Sequence, residues 1–271
     1  MERAVRELVE DWQVVPDGSP WRTGPSTVLP VTTAEGRPAV LKVSAAADEH
    51  AHLALQHWHG RGAVQLLRAD PRRGALLLER LGEPDLTDAW DVEACETVAG
   101  LYALLHVPAV PQLRPLTSYV DRWVAQLEEL PRSAPVPRRL VEQATAIGRD
   151  LSSDPATLGR TLHGDLHYGN VLAADRAPWL AIDPRPVSGD PHYEVGPLLW
   201  HRFDELAGDV RGGVRRRFHA VVDAAGLDEA RAREWVVLRA MVNAVEGMGR
   251  RLPAPHEDAT LCVAIAKAVQ D

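Results

Sequence analysis

The chain of 271 residues has only two cysteines, Cys95 and Cys262. Both fall in helix-like apolar stretches, which excludes a disulfide framework and a cysteine zinc site; small buried hydrophobes are expected. Lysine and asparagine are equally scarce: Lys42 and Lys267 among 30 basic residues, and Asn170 and Asn243. Arginine serves wherever a generic positive charge will do, so a lysine inside an apolar strand asks for a reason. No apolar run approaches the length that spans a bilayer, and the start, "MERAVRELVEDW", lacks the continuous apolar segment of a signal peptide. A cytoplasmic protein without a membrane partner is expected. Positive charge is not in excess either. The net charge of −8 argues against a general nucleic-acid binder, which needs surplus Lys and Arg to displace phosphate counterions. A cationic small molecule is drawn to such a chain instead.

What is present is an ordinary globular composition, 45% hydrophobic and 25% charged, enough for one large domain or two lobes. "STVLPVTT" (26–33) and "PAVLKV" (38–43) read as strands joined by the turn "AEGR". Helical spacing follows from Ala47 to Trp58, then two further strands in "GRGAVQLLRAD" and "GALLLERL", divided by "PRRG". After Gly82 the pattern turns helical, at about 91–106, 117–130 and 137–152, with proline-bearing connectors. Short strands "RTL", "VLAA" and "WLAI" interrupt it over 160–187, and helices resume at 194–207, 211–225, 228–249 and 256–270. The expected fold is α+β, with a leading sheet-and-helix lobe (1–82) and a mostly helical lobe (83–271).

The interruption carries the chemistry. In "LHGDLHYGNVL" Asp165 is followed by Asn170, and Asp183 comes later in "WLAIDP". A carboxylate at a strand end together with an amide oxygen is the hard-oxygen set that Mg²⁺ takes when phosphates and water complete its shell. Asp165 is left to accept the proton of an attacking hydroxyl. This is the order and spacing of the protein-kinase catalytic loop and its metal-binding aspartate. A polar loop whose Asp and Asn only form turns is the bland alternative, common for such residues singly and much less so for the whole set. His163 and His167 are four apart, but in a loop with no third nitrogen or sulfur ligand at a zinc spacing. Bracing the loop is the preferred role for both; His167 bordering the substrate is the other possibility.

With "HGDLHYGN" in place of the kinase "HRDLxxxxN", and "IDP" in place of "DFG", the chain resembles the aminoglycoside phosphotransferases. Within them, "LHGDLHYGNVLAADRAPWLAIDPRPVSGDP", "WHGRGAVQLLRAD" and "LLLERL" are similar to the streptomycin 6-kinase and hydroxyurea phosphotransferase family, over about residues 26–250. The resemblance implies a bilobal kinase-like fold binding ATP with Mg²⁺ between its lobes. Lys42 in "AVLKV" would then grip the phosphates, with Glu49 as its partner; a helix-start carboxylate is the even alternative for Glu49. Asn170 and Asp183 would hold the metal, and Asp165 would be the base.

No GxGxxG occurs. Ser26 and Thr27 in "RTGPSTV" would donate to phosphate oxygens or simply cap a turn, and the main chain of Glu79 and Leu81 would meet adenine. For the acceptor, Asp190 and Glu246 suit a cationic group and His167 could border it, whereas Glu194 reads better as a helix N-terminal carboxylate. Arg239, Asn243 and Glu246 form a polar stripe that faces solvent or lines a cleft. Relatives often carry an aromatic where Glu246 stands, a departure that bears on streptomycin itself.

The implied activity is transfer of the γ-phosphoryl group to a hydroxyl of a small antibiotic such as streptomycin, by a monomer or weak homodimer. Hydroxyurea or another small hydroxylated metabolite is the alternative acceptor, and a catalytically silent nucleotide- or antibiotic-binding module the alternative of another class. A metallophosphoesterase, suggested by "GDLH" and "GN", would need further His and Asp ligands for two metals, and no upstream "DxH" supplies them.

Overall fold

Alternating apolar residues set one face of a strand against a core. The leading part of the chain obeys this closely. The computed structural model describes residues 2–44, 50–248, 250, 254 and 257–270. Its strands β1 (Val15–Pro16), β2 (Trp21–Thr23), β3 (Ser26–Thr32), β4 (Pro38–Ser44), β5 (Leu66–Asp70) and β6 (Ala75–Glu79) form one antiparallel sheet. The order is β1-β3-β4-β6-β5, with β2 also on β3. Leu29, Val31, Ala39, Leu41, Val43, Ala75 and Leu77 face helix α1 (Glu2–Asp11) and bury Val5, Leu8 and Trp12 against it. The period of two sends Ser26, Val28, Lys42, Leu76 and Leu78 to the opposite face, where they are buried as well. Helix α2 (Ala51–Trp58) starts within the expected segment, whose first residues lie outside the described ones.

The chain divides into two compact units, one of residues up to Pro84 with Leu172–Arg185, the other of Asp85–Val171 with the residues from Pro186 on. The first unit thus takes back a piece of chain. β8 (Val171–Ala173) pairs with β9 (Trp179–Ala181), and within this unit the Ala181 amide donates to Gly62, Val64 donates to Ala181, and Gly82 donates to Ala173. Arg176 fixes the same ribbon, donating to both carboxylate oxygens of Glu79 and to the carbonyls of Gly60 and Ala63.

The second unit is helical: α3 (Asp91–Leu105), α4 (Thr117–Glu128), α5 (Arg138–Ser153), α6 (Gly196–Trp200), α7 (Val210–Ala225), α8 (Glu229–Met248) and α9 (Ala259–Ala268), with a small ribbon of β7 (Arg160–Leu162) and β10 (Val187–Gly189). The helix expected over 194–207 is broken. A 3-10 segment at 191–195 leads into the single turn and a half of α6, and Arg202 then takes a left-handed φ of 55° before another 3-10 segment at 203–206. Arg217, fully buried, holds this break by donating to the carbonyls of His201 and Arg202. Both cysteines are buried in helices, and burial pushes their thiols up to about 11 for Cys95 and about 12 for Cys262. They are inert packing groups.

Candidate active site

Lys42 sits mid-strand in β4, opposite Val28 on one side and Leu76 on the other. The residue is 8% exposed, and its amine pairs with the Asp183 carboxylate 141 positions later. The meeting is built by the β9 ribbon, which docks through Ala181 and carries Asp183 two residues beyond. Asp183 itself holds φ at 57° before a proline, a left-handed conformation that Asp tolerates better than most residues and that a residue before proline rarely adopts. Such strain, of order 1–3 kcal/mol, persists where surroundings over-determine the geometry.

Ser26 shares the Lys42 face, but it is a buried strand residue whose hydroxyl meets that of Ser44 at 2.7 Å. Thr27, next along the strand, turns to the other face. The expected phosphate loop is the turn at Gly24 and Pro25 between β2 and β3, with Gly24 at φ 54°. The Glu79 side chain is buried and bound by Arg176, and its amide donates to the Gln65 carbonyl. Leu81 lies just past the strand, and its amide makes no backbone hydrogen bond among the described residues. Glu49 lies outside the described residues.

In the second unit β7 delivers the loop 163–170. Leu166 and Tyr168 are buried anchors, while Asp165 and His167 between them stay half-exposed. Gly164 adopts φ 84°, a conformation open to glycine, and its amide donates to Glu194 Oε1 at 2.5 Å. The Asp165 amide donates to His163 Nδ1 at 3.3 Å, and its carbonyl accepts from Asn170 Nδ2 at 2.8 Å. Both peptide groups flanking the carboxylate are therefore held. With its NH₂ spent in this way, the Asn170 amide keeps its oxygen for another partner. The His167 Nδ1 accepts from the Gly169 amide, so both loop histidines brace the backbone.

Sequence reasoning missed three supports here. Glu194 is 1% exposed and is bound by His106 as well as Gly164. Burial raises its pKa, but hydrogen bonding and charge from His106, the His163 charge and the Gly164 amide outweigh burial and hold the carboxyl below its ordinary 4.5. Its role is to clamp the loop rather than to favour a helix start. Tyr168 donates to the Leu198 carbonyl and lies under the guanidinium groups of Arg202 and Arg217. His201 stacks on His167, ring centroids 3.7 Å apart. No local pattern announces contacts over such separations; only the chain break after α6 brings His201 back.

Among the described residues one trio, Asp165, His167 and His201, gathers ligand atoms within 4.8 Å of one another. The imidazoles lie 11° from parallel. Their lone pairs point along two separate planes and do not converge on one cation as zinc requires.

Asp190, expected near the acceptor, lies in the interior of the helical unit. It is 1% exposed, accepts from Trp235 Nε1 and Arg231, and meets His192 Nδ1. Burial raises its pKa, yet His192 and Trp235 hold it below the ordinary carboxylate value. So engaged, the carboxylate ties α8 to the 190–195 segment. Glu246 is half-buried on α8. Of the polar stripe, Asn243 is buried and Arg239 half-buried, so it does not simply face solvent.

A sheet carrying a lysine paired to a strand-end aspartate, and a helical unit presenting a braced His-Gly-Asp loop, define a kinase-like small-molecule phosphotransferase. The family model described as aminoglycoside/hydroxyurea antibiotic resistance kinase matches residues 11–248, and the chain belongs to that family. It is 42% identical over 252 residues to streptomycin 6-kinase of Streptomyces glaucescens, covering 89% of this chain and 81% of that protein. To hydroxyurea phosphotransferase of Kitasatospora aureofaciens it is 38% identical, covering 88% and 71%. Its fold is similar to that of a thermostable mutant of aminoglycoside phosphotransferase APH(4)-Ia solved with ADP and hygromycin B, with a TM-score of 0.63 at 16% identity and coverage of 97% and 96%. No helix among the described residues is long and apolar enough to cross a membrane.

Proposed function

We propose that this chain transfers the γ-phosphoryl group of ATP to a hydroxyl of an aminoglycoside-type antibiotic such as streptomycin. The observation that carries the reading is the Lys42–Asp183 pair, buried at the lysine and joined across 141 positions of chain. A lysine among apolar strand neighbours, in a chain with only one other lysine, is the phosphate-gripping cation of a kinase sheet. Its aspartate partner and the Asn170 amide oxygen are the hard-oxygen donors that would hold Mg²⁺. Bound there, the ion neutralises charge on the transferred phosphate.

In the step itself the acceptor oxygen bonds to the γ-phosphorus as the bond from phosphorus to the ADP oxygen breaks, and the acceptor proton passes to the Asp165 carboxylate. Asp165 is held for this by the hydrogen bonds of its peptide N–H to His163 and of its carbonyl to Asn170, so catalysis rests on positioning and charge. The Glu79 carbonyl and Leu81 amide are the adenine contacts in this reading, and Ser26 supports the phosphate side through the sheet. The identities with streptomycin 6-kinase and hydroxyurea phosphotransferase favour those two acceptors for the first assays. Incubation with ATP, Mg²⁺ and streptomycin, hydroxyurea, other aminoglycosides or simple sugars, read by mass spectrometry, tests the proposal. A gain of one phosphate on an aminoglycoside supports it; phosphate on none of the panel, with ATP bound, contradicts it.

A further inference from the structure

Helix α8 carries an arginine caged by aromatic rings. The Arg239 guanidinium lies 4.2 Å from the ring centre of Tyr193, 5.3 Å from that of Trp200 and 5.6 Å from that of Trp123. Its Nε and Nη1 are buried, and no acceptor meets them among the described residues. One turn along the helix, on the same side, Asn243 is 5% exposed and its Nδ2 is also unmet. The two buried carboxylates of the neighbouring 190–195 segment are engaged elsewhere, Asp190 with Arg231, His192 and Trp235, and Glu194 with the Gly164 amide and His106. Aromatic faces attract the cation, but they accept no in-plane N–H bond, and a buried donor left unmet is costly.

The cage lies within electrostatic reach of the base. The Tyr193 hydroxyl, pushed up by burial, feels the Arg239 charge on one hand and the Asp165 charge on the other. Trp123 lies 7° from parallel to Tyr193 at 6.3 Å, and Tyr119 adjoins Trp123. Flat aromatic faces thus surround the guanidinium. The unmet atoms are all donors, so a ligand must bring acceptors.

We propose that Arg239 and Asn243 form an acceptor subsite for a carbonyl or carboxylate oxygen, with Trp123, Tyr193 and Trp200 holding the ring that bears it. This deepens the phosphotransfer reading and rests on it: the acceptor molecule, cationic elsewhere or not, presents an sp² oxygen close to the hydroxyl that Asp165 deprotonates. Planar binding by a guanidinium fork beside aromatic faces is what arginine does and lysine does not. Arg239 is a specificity-determining residue.

The test uses three matched probes on the full chain: benzoate (carboxylate), benzamide (neutral carbonyl) and benzylamine (cation). Binding is read by calorimetry or ligand NMR, and competition against streptomycin in the transfer assay. Benzoate and benzamide should bind, the first revealing preference for charge and the second for the carbonyl alone, and both should outbind benzylamine. Arg239→Gln should weaken the oxygen-bearing probes by roughly ten- to a hundredfold, the loss of one hydrogen bond to a charged group, with ATP affinity unchanged. Arg239→Lys keeps the cage filled and should restore thermal stability without restoring probe binding. Benzylamine binding as tightly as benzoate, or a folded Arg239→Gln or Arg239→Lys variant binding all three like the parent, overturns the subsite. Because the binding arm needs no turnover, failure to phosphorylate streptomycin counts against the function proposed above and leaves the subsite separately decided.

Discussion

Replacing Glu194 by alanine removes a buried acceptor that two part-buried groups share, the Gly164 amide and the His106 ring. Leaving each unmet costs about 1–3 kcal/mol, and truncating one partner of a buried charged pair about 3–5 kcal/mol. The second figure falls inside the first one doubled, so a loss of about 3–5 kcal/mol is expected. At roughly 2–4 °C per kcal/mol for chains near this size, the melting temperature should fall by about 6–20 °C. Glu194→Gln keeps a carbonyl acceptor and loses only the charge, so about 1–2 kcal/mol is expected. Because Gly164 precedes Asp165, the turnover number should fall more steeply than stability explains; a 1 Å displacement of a reacting group costs about a hundredfold. The Glu194 carboxyl is held below its ordinary 4.5, so its contribution is complete above that value and is lost as pH falls through the folded value. The gap between parent and Glu194→Gln should therefore close in acid. Thermal unfolding across pH and steady-state transfer, measured on the same samples, decide it. A Glu194→Ala protein melting within about 2 °C of the parent, with unchanged turnover, refutes the clamp.

Lys42→Met should raise the KM for ATP about ten- to a hundredfold, the worth of a lost charged hydrogen bond, while the acceptor KM stays put; equal effects on both would show a general loss of fold. Asp183→Asn tolerates the left-handed φ, so it should keep the melting temperature but lose transfer, whereas Asp183→Val should also destabilise by about 1–3 kcal/mol; identical melting of the two would remove strain from the account. Arg176→Met leaves the buried Glu79 carboxylate with the Gln65 amide and the distant Arg37. It should cost about 1–3 kcal/mol and loosen the ribbon carrying Asp183, seen as faster hydrogen exchange at Val64 and Ala181.

What the chain discloses by itself follows the range of the forces involved. Strands β3, β4, β5 and β6 and helices α3, α4, α5, α7 and α8 are periodic, and their burial depends on near neighbours, so pattern alone finds them. The strands β1, β2 and β10 have two or three residues and no alternation long enough to see; sheet partners alone define them. Helix α1 is hard to see in the sequence because charges fill the gaps between Val5, Leu8 and Trp12, although the spacing suits a helix. The segment 194–207 is apolar enough for a helix, and only Arg217, reaching from α7, shows where it breaks. The site divides similarly. Asp165, Asn170, Asp183 and Lys42 stand out by residue type and order. The fates of Asp190 and Glu194 turn on Arg231, Trp235 and His106, 41, 45 and 88 positions away, and nothing local in "SGDPHYEVG" distinguishes a clamp or lock from a substrate contact.

The most direct test is phosphate transfer to streptomycin by the parent and by Asp165→Asn, read by mass spectrometry beside ATP binding by calorimetry. The account expects product from the parent, a loss of about 10²–10⁴ in turnover for the variant, and equal ATP affinity. Transfer at the parent rate by Asp165→Asn, or ATP binding lost with the carboxylate, would contradict Asp165 as the base.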